Sequence, residues 1–375
     1  MSEIKKLIER LCPDGVEYKR LGDITEILRG RRLTKKELTD NAEYPVYHGG
    51  IEPIGYYSHH NRPANTVMII NVGASAGTVG YCNKPFWSSD GCYCIDKSEL
   101  LSDRYLYHVL SKNQLAFVSK VRHAGIPTLD SKVIANFEIP VPPIEVQSKI
   151  VEILDNFTEL EAELEAELEA RRKQYEYYRN QLLTFDKVGG ARFEVKWMKL
   201  GEVADITIGE FVHKNKQNPN GKYPVYNGGS SFTGYYDQYN RTGNKIVISA
   251  RGAYAGFVNK VYDCYWAGNS SYSIEVVSPE ISWHFLYYYL KKMQYYMISK
   301  QQKGGGVPAI SKKQMQDFEI PIPPLEEQER IVSILDRFEA LTTDLQSGLP
   351  AEIEARRKQY EYYREQLLTF KRKTA

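Results

Sequence analysis

The sequence contains no G-x-x-x-x-G-K-[ST] phosphate loop, no G-x-G-x-x-G turn and no Asn-Pro-Pro-Tyr-type adenine methyltransferase motif; Asn218-Pro219-Asn220-Gly221, the nearest string, reads as a turn. Nucleotide hydrolysis and methyl transfer are therefore not expected of this chain by itself. Cysteine is sparse, 5 in 375 residues, and an odd count without a signal peptide argues for reduced thiols. Cys82, Cys92 and Cys94, with His59 and His60 nearby, lack the paired C-x-x-C spacing of a zinc site, so no metal is expected. An excess of one charge is also missing: Lys+Arg 49 against Asp+Glu 47 leaves +2, too little to indicate a polyanion partner from the total. No apolar run is long enough to span a membrane. The weakly polar stretch Thr66 to Cys82 is interrupted by Asn71 and GASAG and reads as a buried strand and turn. The opening MSEIKKLIERL has no apolar core of a signal peptide, so a cytoplasmic location is expected.

What the sequence does contain is a repeat. YPVYHGGIEPIGYY (Tyr44 to Tyr57) returns as YPVYNGGSSFTGYY (Tyr223 to Tyr236), and in the same register Gly73–Gly77 matches Gly252–Gly256 and Trp87 matches Trp266. FEIPVPPIEVQSKIVEILDNF (Phe137 to Phe157) returns as FEIPIPPLEEQERIVSILDRF (Phe318 to Phe338). ARRKQYEYYRNQLLTF (Ala170 to Phe185) returns with one change, Asn180 to Glu365. Cys82, Cys92 and Cys94 become Val261, Ser271 and Ser273, which argues further against a structural metal.

Each copy has a front part and a back part. The front parts hold short apolar runs such as TVMIINV and KIVISA between Gly, Pro and Asn clusters, a strand-rich pattern, with one helical stretch expected over Arg104 to Ser119 and its match at Trp283 to Ser299. The back parts open at Pro142-Pro143 and Pro323-Pro324, with proline expected at the first helical position. A stripe through Ile150, Leu154, Phe157, Leu160, Leu164, Leu168, Tyr175, Tyr178 and Leu182 predicts a helix spanning roughly 60 Å. Alternate glutamates from Glu159 to Glu169 make the middle of this helix acidic, and Arg171, Arg172, Lys173 and Arg179 make its end basic. The second helix is acidic early, at Glu326, Glu327, Glu329, Asp336 and Glu339, and basic late, at Arg356, Arg357, Lys358 and Arg364. Opposite signs meet only if the pair is antiparallel. The second helix is one turn longer between matching landmarks and contains Ser347-Gly348-Leu349-Pro350, so a kink or break is expected there.

The whole chain resembles the DNA-specificity subunits of Type I restriction-modification systems, on the YPVYxGG and GAxAG segments, the paired junction FEIPVPPIEVQSKIVEILDNF and the paired ARRKQYEYYR helices. The resemblance implies an α+β fold: two duplicated strand-rich target-recognition domains separated by a long antiparallel two-helix coiled coil, pseudo-twofold symmetric. The expected partition is recognition domain 1–141, spacer helix 142–185, linker 186–196, recognition domain 197–322, spacer helix 323–370 with a break near 347–350, and tail 371–375. It further implies a non-catalytic subunit whose two domains each read one half of an asymmetric bipartite site. Partners are double-stranded DNA, two methyltransferase subunits and restriction/motor subunits, with S-adenosylmethionine, ATP and Mg on those partners and no membrane. In such proteins short helix repeats are linked to the gap between half-sites, and Glu159 to Ala170 reads ELEA three times. A low-complexity coiled coil with no such role is the plain alternative. A free-standing duplicated DNA-binding regulator and a self-sufficient DNA enzyme are the competing functions, the second opposed by the missing motifs.

Matched positions between the copies are expected to serve scaffold, phosphate or partner, and mismatched loop residues to read bases. Asn61-Arg62 and Asn240-Arg241 match and are candidate phosphate holders. Arg29, Arg31 and Arg32 face a counterpart carrying His213, Lys214 and Lys216; His59 and His60 become Gln238 and Tyr239; Ser75 becomes Tyr254; Arg251 replaces Val72. The Gly-rich turns carrying Arg122 and Lys303 suit close approach to a phosphate. With 29 tyrosines against 13 phenylalanines, Tyr175, Tyr177, Tyr178, Tyr360, Tyr362 and Tyr363 are candidates for a partner interface.

Overall fold

A computed structural model describes residues 2–185, 194–301, 307–344 and 346–374. The chain forms two compact units, one of residues 1–165 with 352–375 and the other of 166–351. Both boundaries fall inside the back parts, so each unit takes its own front part together with pieces of two spacer helices.

The two units are built on one plan. In the first, a four-stranded antiparallel sheet has the order Ile27–Arg29, Cys92–Ile95, Thr66–Ile70, Val79–Cys82. A three-stranded sheet has the order Gly55–Tyr57, Tyr44–Tyr47, Trp87–Ser88, its last pair parallel. The second unit repeats both orders, with Lys245–Ser249 standing where Thr66–Ile70 stands. These two strands are buried at every position. Side chains alternate between the faces of a strand, so an unbroken apolar run needs cover on both sides. Val67 and Ile69 point to the main core with Leu106 and Leu110, while Met68 points to a small cluster with Phe86 and Tyr47. Ile246 and Ile248 divide from Val247 in the same way.

The expected single helix over Arg104 to Ser119 is two, Asp103–Lys112 and Gln114–Val118. The break falls at Asn113, whose Nδ2 donates to the Val109 carbonyl at 2.8 Å, and the side chain of Gln114, which opens the next helix, accepts from Val79 N as Gln294 does from Val258 N in the second copy. The second copy divides at Met293, into Trp283–Lys292 and Gln294–Ser299.

The first spacer helix is continuous over Ile144–Leu182, 39 residues. Its prolines stand one position earlier than expected: Pro143 is outside the helix and its carbonyl accepts from Val146 and Gln147, while Pro324 is the N-cap of Leu325–Thr343. In the first unit Phe157 stacks on Tyr363 at 5.2 Å, and Arg357 donates to Glu161 and Glu165, so the two segments run antiparallel. In the second unit the seam is aromatic, with Tyr178 stacked on Phe338 at 5.6 Å. There Arg171 pairs with Glu167 and Lys173 with Glu169 on their own helix. The second spacer stops at Thr343 and restarts as Leu349–Leu367. Pro350 lies in the first turn of the new helix, where a missing N–H leaves no intrahelical bond broken, so it opens a helix and kinks none.

Two fully buried glutamines join spacer to front part. Gln147 accepts from Ser102 N at 2.9 Å and donates to the Leu100 and Pro142 carbonyls, and Gln328 repeats this with Ser282, Glu280 and Pro323. Replacing either with leucine strands one N–H and two carbonyls in a dry setting. Gln147→Leu should lower unfolding stability by about 2–4 kcal/mol, read from the urea midpoint; an unshifted midpoint would refute the clamp.

Candidate nucleic-acid interface

The candidate residues gather on two groups of loops in each unit. The first group joins the segment after the first sheet strand, the turn after the GYY strand, and the Trp87 or Trp266 strand. In the first unit the Asn61 side chain bridges Ser88, donating to its carbonyl at 2.9 Å and accepting from its N–H at 2.7 Å. Arg62 donates to the carbonyls of Asn61 and Arg29, at 2.7 and 3.0 Å, and Trp87 Nε1 donates to the Arg31 carbonyl at 2.7 Å. The second unit repeats the lock: Asn240 on Ala267, Arg241 on Asn240 and Ile208, and Trp266 on Glu210. A side chain at Gly30 would strike Ser89 O at 2.1 Å, and one at Gly209 would strike Ala267 O at 2.2 Å, so only glycine lets the backbones approach this closely.

The candidate phosphate holders Arg62 and Arg241 each donate from both terminal nitrogens to main-chain carbonyls, so both help to hold their loops together. Arg62→Met should therefore destabilise the first unit by about 1–3 kcal/mol while leaving the salt dependence of DNA binding unchanged. A melt combined with a salt titration checks both halves of the statement.

On this common lock the exposed side chains differ completely. The first unit presents Arg29, Arg31 and Arg32, all exposed; at the same three positions the second presents Ile208, Glu210 and Phe211, the phenylalanine 65% exposed. His213, Lys214 and Lys216 follow on an exposed turn. Phe211 is absent from the sequence-based candidates. Aligning the two copies through Gly30 and Gly209, and not only by charge, would have found it. His59 and His60 are exposed, His60 set edge-on to Tyr44 at 4.8 Å, and Tyr239 takes the same place on Tyr223 at 5.0 Å.

The second group joins the GAxAG turn to the Gly-rich turn. Gly73 N donates to the Pro127 carbonyl, and Gly252 N to Pro308. Both glycines have φ above +90, which a side chain would strain. Ser75 is half-buried, whereas its counterpart Tyr254 is 50% exposed; Arg251 is exposed. Arg122 lies at the base of a short hairpin, paired with Asp130 at 2.9 Å and still largely exposed. Lys303 lies outside the described residues.

The helix tyrosines separate into two sets. Tyr360 and Tyr363 pack on the core of the first unit, and Tyr175 on that of the second, where burial, then Glu339, pushes its hydroxyl up to about 12. Tyr178 stacks on Phe338 yet stays 40% exposed, so Tyr175, Tyr360 and Tyr363 lie mainly in the seam while Tyr178 borders both seam and solvent. Tyr177 and Tyr362, at matching positions, are 60% and 61% exposed. The thiols are interior: Cys82, Cys92 and Cys94 are buried, and burial pushes Cys92 up to about 12.

The family model described as the Type I restriction modification DNA specificity domain matches twice, over residues 13–170 and 194–355. The chain belongs to that family. It is 36% identical to the specificity subunit of an Escherichia coli Type I restriction enzyme, covering 99% of this chain and 98% of that one. It is 31% identical to a type I restriction enzyme specificity subunit of Haemophilus influenzae, over 99% and 100%. The crystal structure of the Type I restriction-modification S subunit from M. genitalium aligns with a TM-score of 0.69 over 94% of this chain and 96% of that one, at 20% identity, a likeness of fold. This Type I specificity chain carries the family's domain as two copies, each with its own loop chemistry. No helix among its described residues is long and apolar enough to cross a membrane.

Proposed function

We propose that each unit reads one half of an asymmetric, two-part DNA sequence, and that the chain is the non-catalytic specificity subunit of a cytoplasmic complex. Methyltransferase subunits, two per chain, supply S-adenosylmethionine chemistry, and restriction/motor subunits supply ATP- and Mg-dependent steps. The observation that carries this reading is the contrast on the shared lock: Arg29, Arg31 and Arg32 in one unit against Ile208, Glu210 and Phe211 in the other. Identical scaffolds with opposite surface chemistry suit two different half-sites. Arginine suits the acceptor pair of guanine, and an apolar side chain suits the thymine methyl. Tyr177, Tyr178 and Tyr362 are exposed helix tyrosines that can face a partner. Methylome sequencing of cells carrying this chain and its methyltransferase tests the proposal: one asymmetric bipartite motif is expected, and a symmetric or continuous motif would refute it. The free-standing regulator predicts full affinity and specificity without any partner, which a binding titration with and without methyltransferase separates.

A further inference from the structure

The sheet of each unit is backed by one front helix, Asp103–Lys112 in the first and Trp283–Lys292 in the second, and a polar joint ties each helix to the spacer that begins in its own unit. In the first unit Val67 and Ile69 of the sheet pack with Leu106 and Leu110 of that helix, and His108 on the same helix is fully buried. Its Nε2 lies 2.8 Å from Asp155 Oδ1 on the spacer, and the same carboxylate accepts from Arg104 Nε at 2.8 Å. An ionised carboxylate only accepts, so Nε2 carries the proton and Nδ1 is bare. Nδ1 is buried and has no hydrogen-bond partner among the described residues.

A second proton on this ring would land on Nδ1, where no acceptor meets it. The charged groups that face the ring are one carboxylate, Asp155 on the spacer, against two guanidiniums, Arg104 on its own helix and Arg364 on the helix Leu349–Leu367. Tyr81, Tyr107 and Tyr360 are the titratable neighbours, from strand, helix and second spacer. Burial holds the imidazole below its ordinary range, against the pull of Asp155. A histidine that is held neutral in the fold, and charges near pH ~6.5 when unfolded, contributes stability that is complete above that pH and lost as pH falls below it. The second unit builds the same joint from other groups. Tyr288 stands at the position of His108 and donates to Asp336, with Glu339 at 2.6 Å, and Glu339 pairs with Lys260 at 2.6 Å. A phenol does not titrate in mild acid. His284, at the position of Arg104, is half-buried, so water reaches its ring when it charges.

We propose that His108 is an acid-sensitive latch: in mildly acidic solution the ring takes a second proton and the helix Asp103–Lys112 lets go of the first spacer, while the matching helix of the second unit stays fastened. That helix backs the sheet from which the loops of the first unit issue. Acid should then weaken recognition of one half-site before the other, a consequence that rests on each unit reading its own half-site.

Hydrogen exchange of the full chain tests the latch, with the two helices measured in one sample so that the pH dependence of exchange itself cancels. Between about pH 7.5 and about pH 5.5 the protection of Asp103–Lys112 relative to Trp283–Lys292 should fall about three- to tenfold. His108→Gln, which keeps a neutral donor for Asp155, and His108→Tyr, which copies Tyr288, should each hold the ratio constant. His284→Gln should leave the wild-type fall in place. A constant ratio in the wild type, an undiminished fall in His108→Gln, or loss of the fall in His284→Gln would overturn the latch. Should neither His108 variant fold, the imidazole titration of His108 in the folded wild type, followed by NMR, decides: a midpoint below about pH 6.5 supports the latch and one at or above it overturns it. A fallen ratio with equal loss of both half-sites in an acid footprint of the assembled complex would overturn the half-site reading and leave the latch standing.

Discussion

Replacing Arg29, Arg31 and Arg32 together with alanine is expected to lower the affinity of the assembled complex for its site about 10²–10³-fold. The three exposed guanidiniums stand at the end of the Ile27–Arg29 strand and on the loop after it, with the lock beneath them intact, because that lock uses the main-chain carbonyls of Arg29 and Arg31 and not their side chains. Thermal stability should therefore hold. If the three hold phosphates, the slope of log affinity against log salt falls by up to about three; if they read bases, discrimination at the first half-site relaxes and the slope moves less. Phe211→Ala supplies the contrast: it should weaken the second half-site with no change in salt dependence. Unchanged affinity in the triple variant would remove this loop from the interface.

Deleting one ELEA unit, Glu163 to Ala166, should abolish methylation of the original motif and move it to sites with a gap one or two base pairs shorter. Four residues shorten a helix by about 6 Å, against ~3.4 Å per base pair, and rotate it by only about 40°. The glutamate that moves into the place of Glu165 keeps a partner for Arg357. Leu160 is 39% exposed, while Leu164 and Leu168 are half-buried, so little core depends on the deleted turn. Methylome sequencing gives the answer directly: an unchanged gap would reduce the repeat to a plain coiled-coil filler.

Legibility differed by kind of feature. The unbroken apolar run TVMIINV announced a strand buried on both faces, and Met68 pointing away from Val67 and Ile69 is that double cover made visible. The helix pattern around Asn113 misled, because the break there and at Met293 coincides with Gln114 and Gln294 accepting from the N–H of Val79 and Val258, long-range contacts that leave the hydrophobic period undisturbed. Tyr175 and Tyr177 look alike in sequence, yet one is in a core and the other faces solvent, since two residues along a helix turn the side chain through about 200°.

The repeat, the family, the length of the first spacer and the sense of its pairing were determined by the sequence by itself, because duplication, periodicity and charge order are properties of one dimension. Only the tertiary structure decided which matched residues are structural and which are presented. Asn61 and Arg62 tie their loop to the backbone of Ser88 and Arg29, while Tyr177 and Tyr362 face solvent, because whether a polar group is satisfied or an apolar one is covered depends on segments distant along the chain. Tyr178 against Phe338 and Arg62 against Arg29 are such meetings, and no spacing rule predicts them.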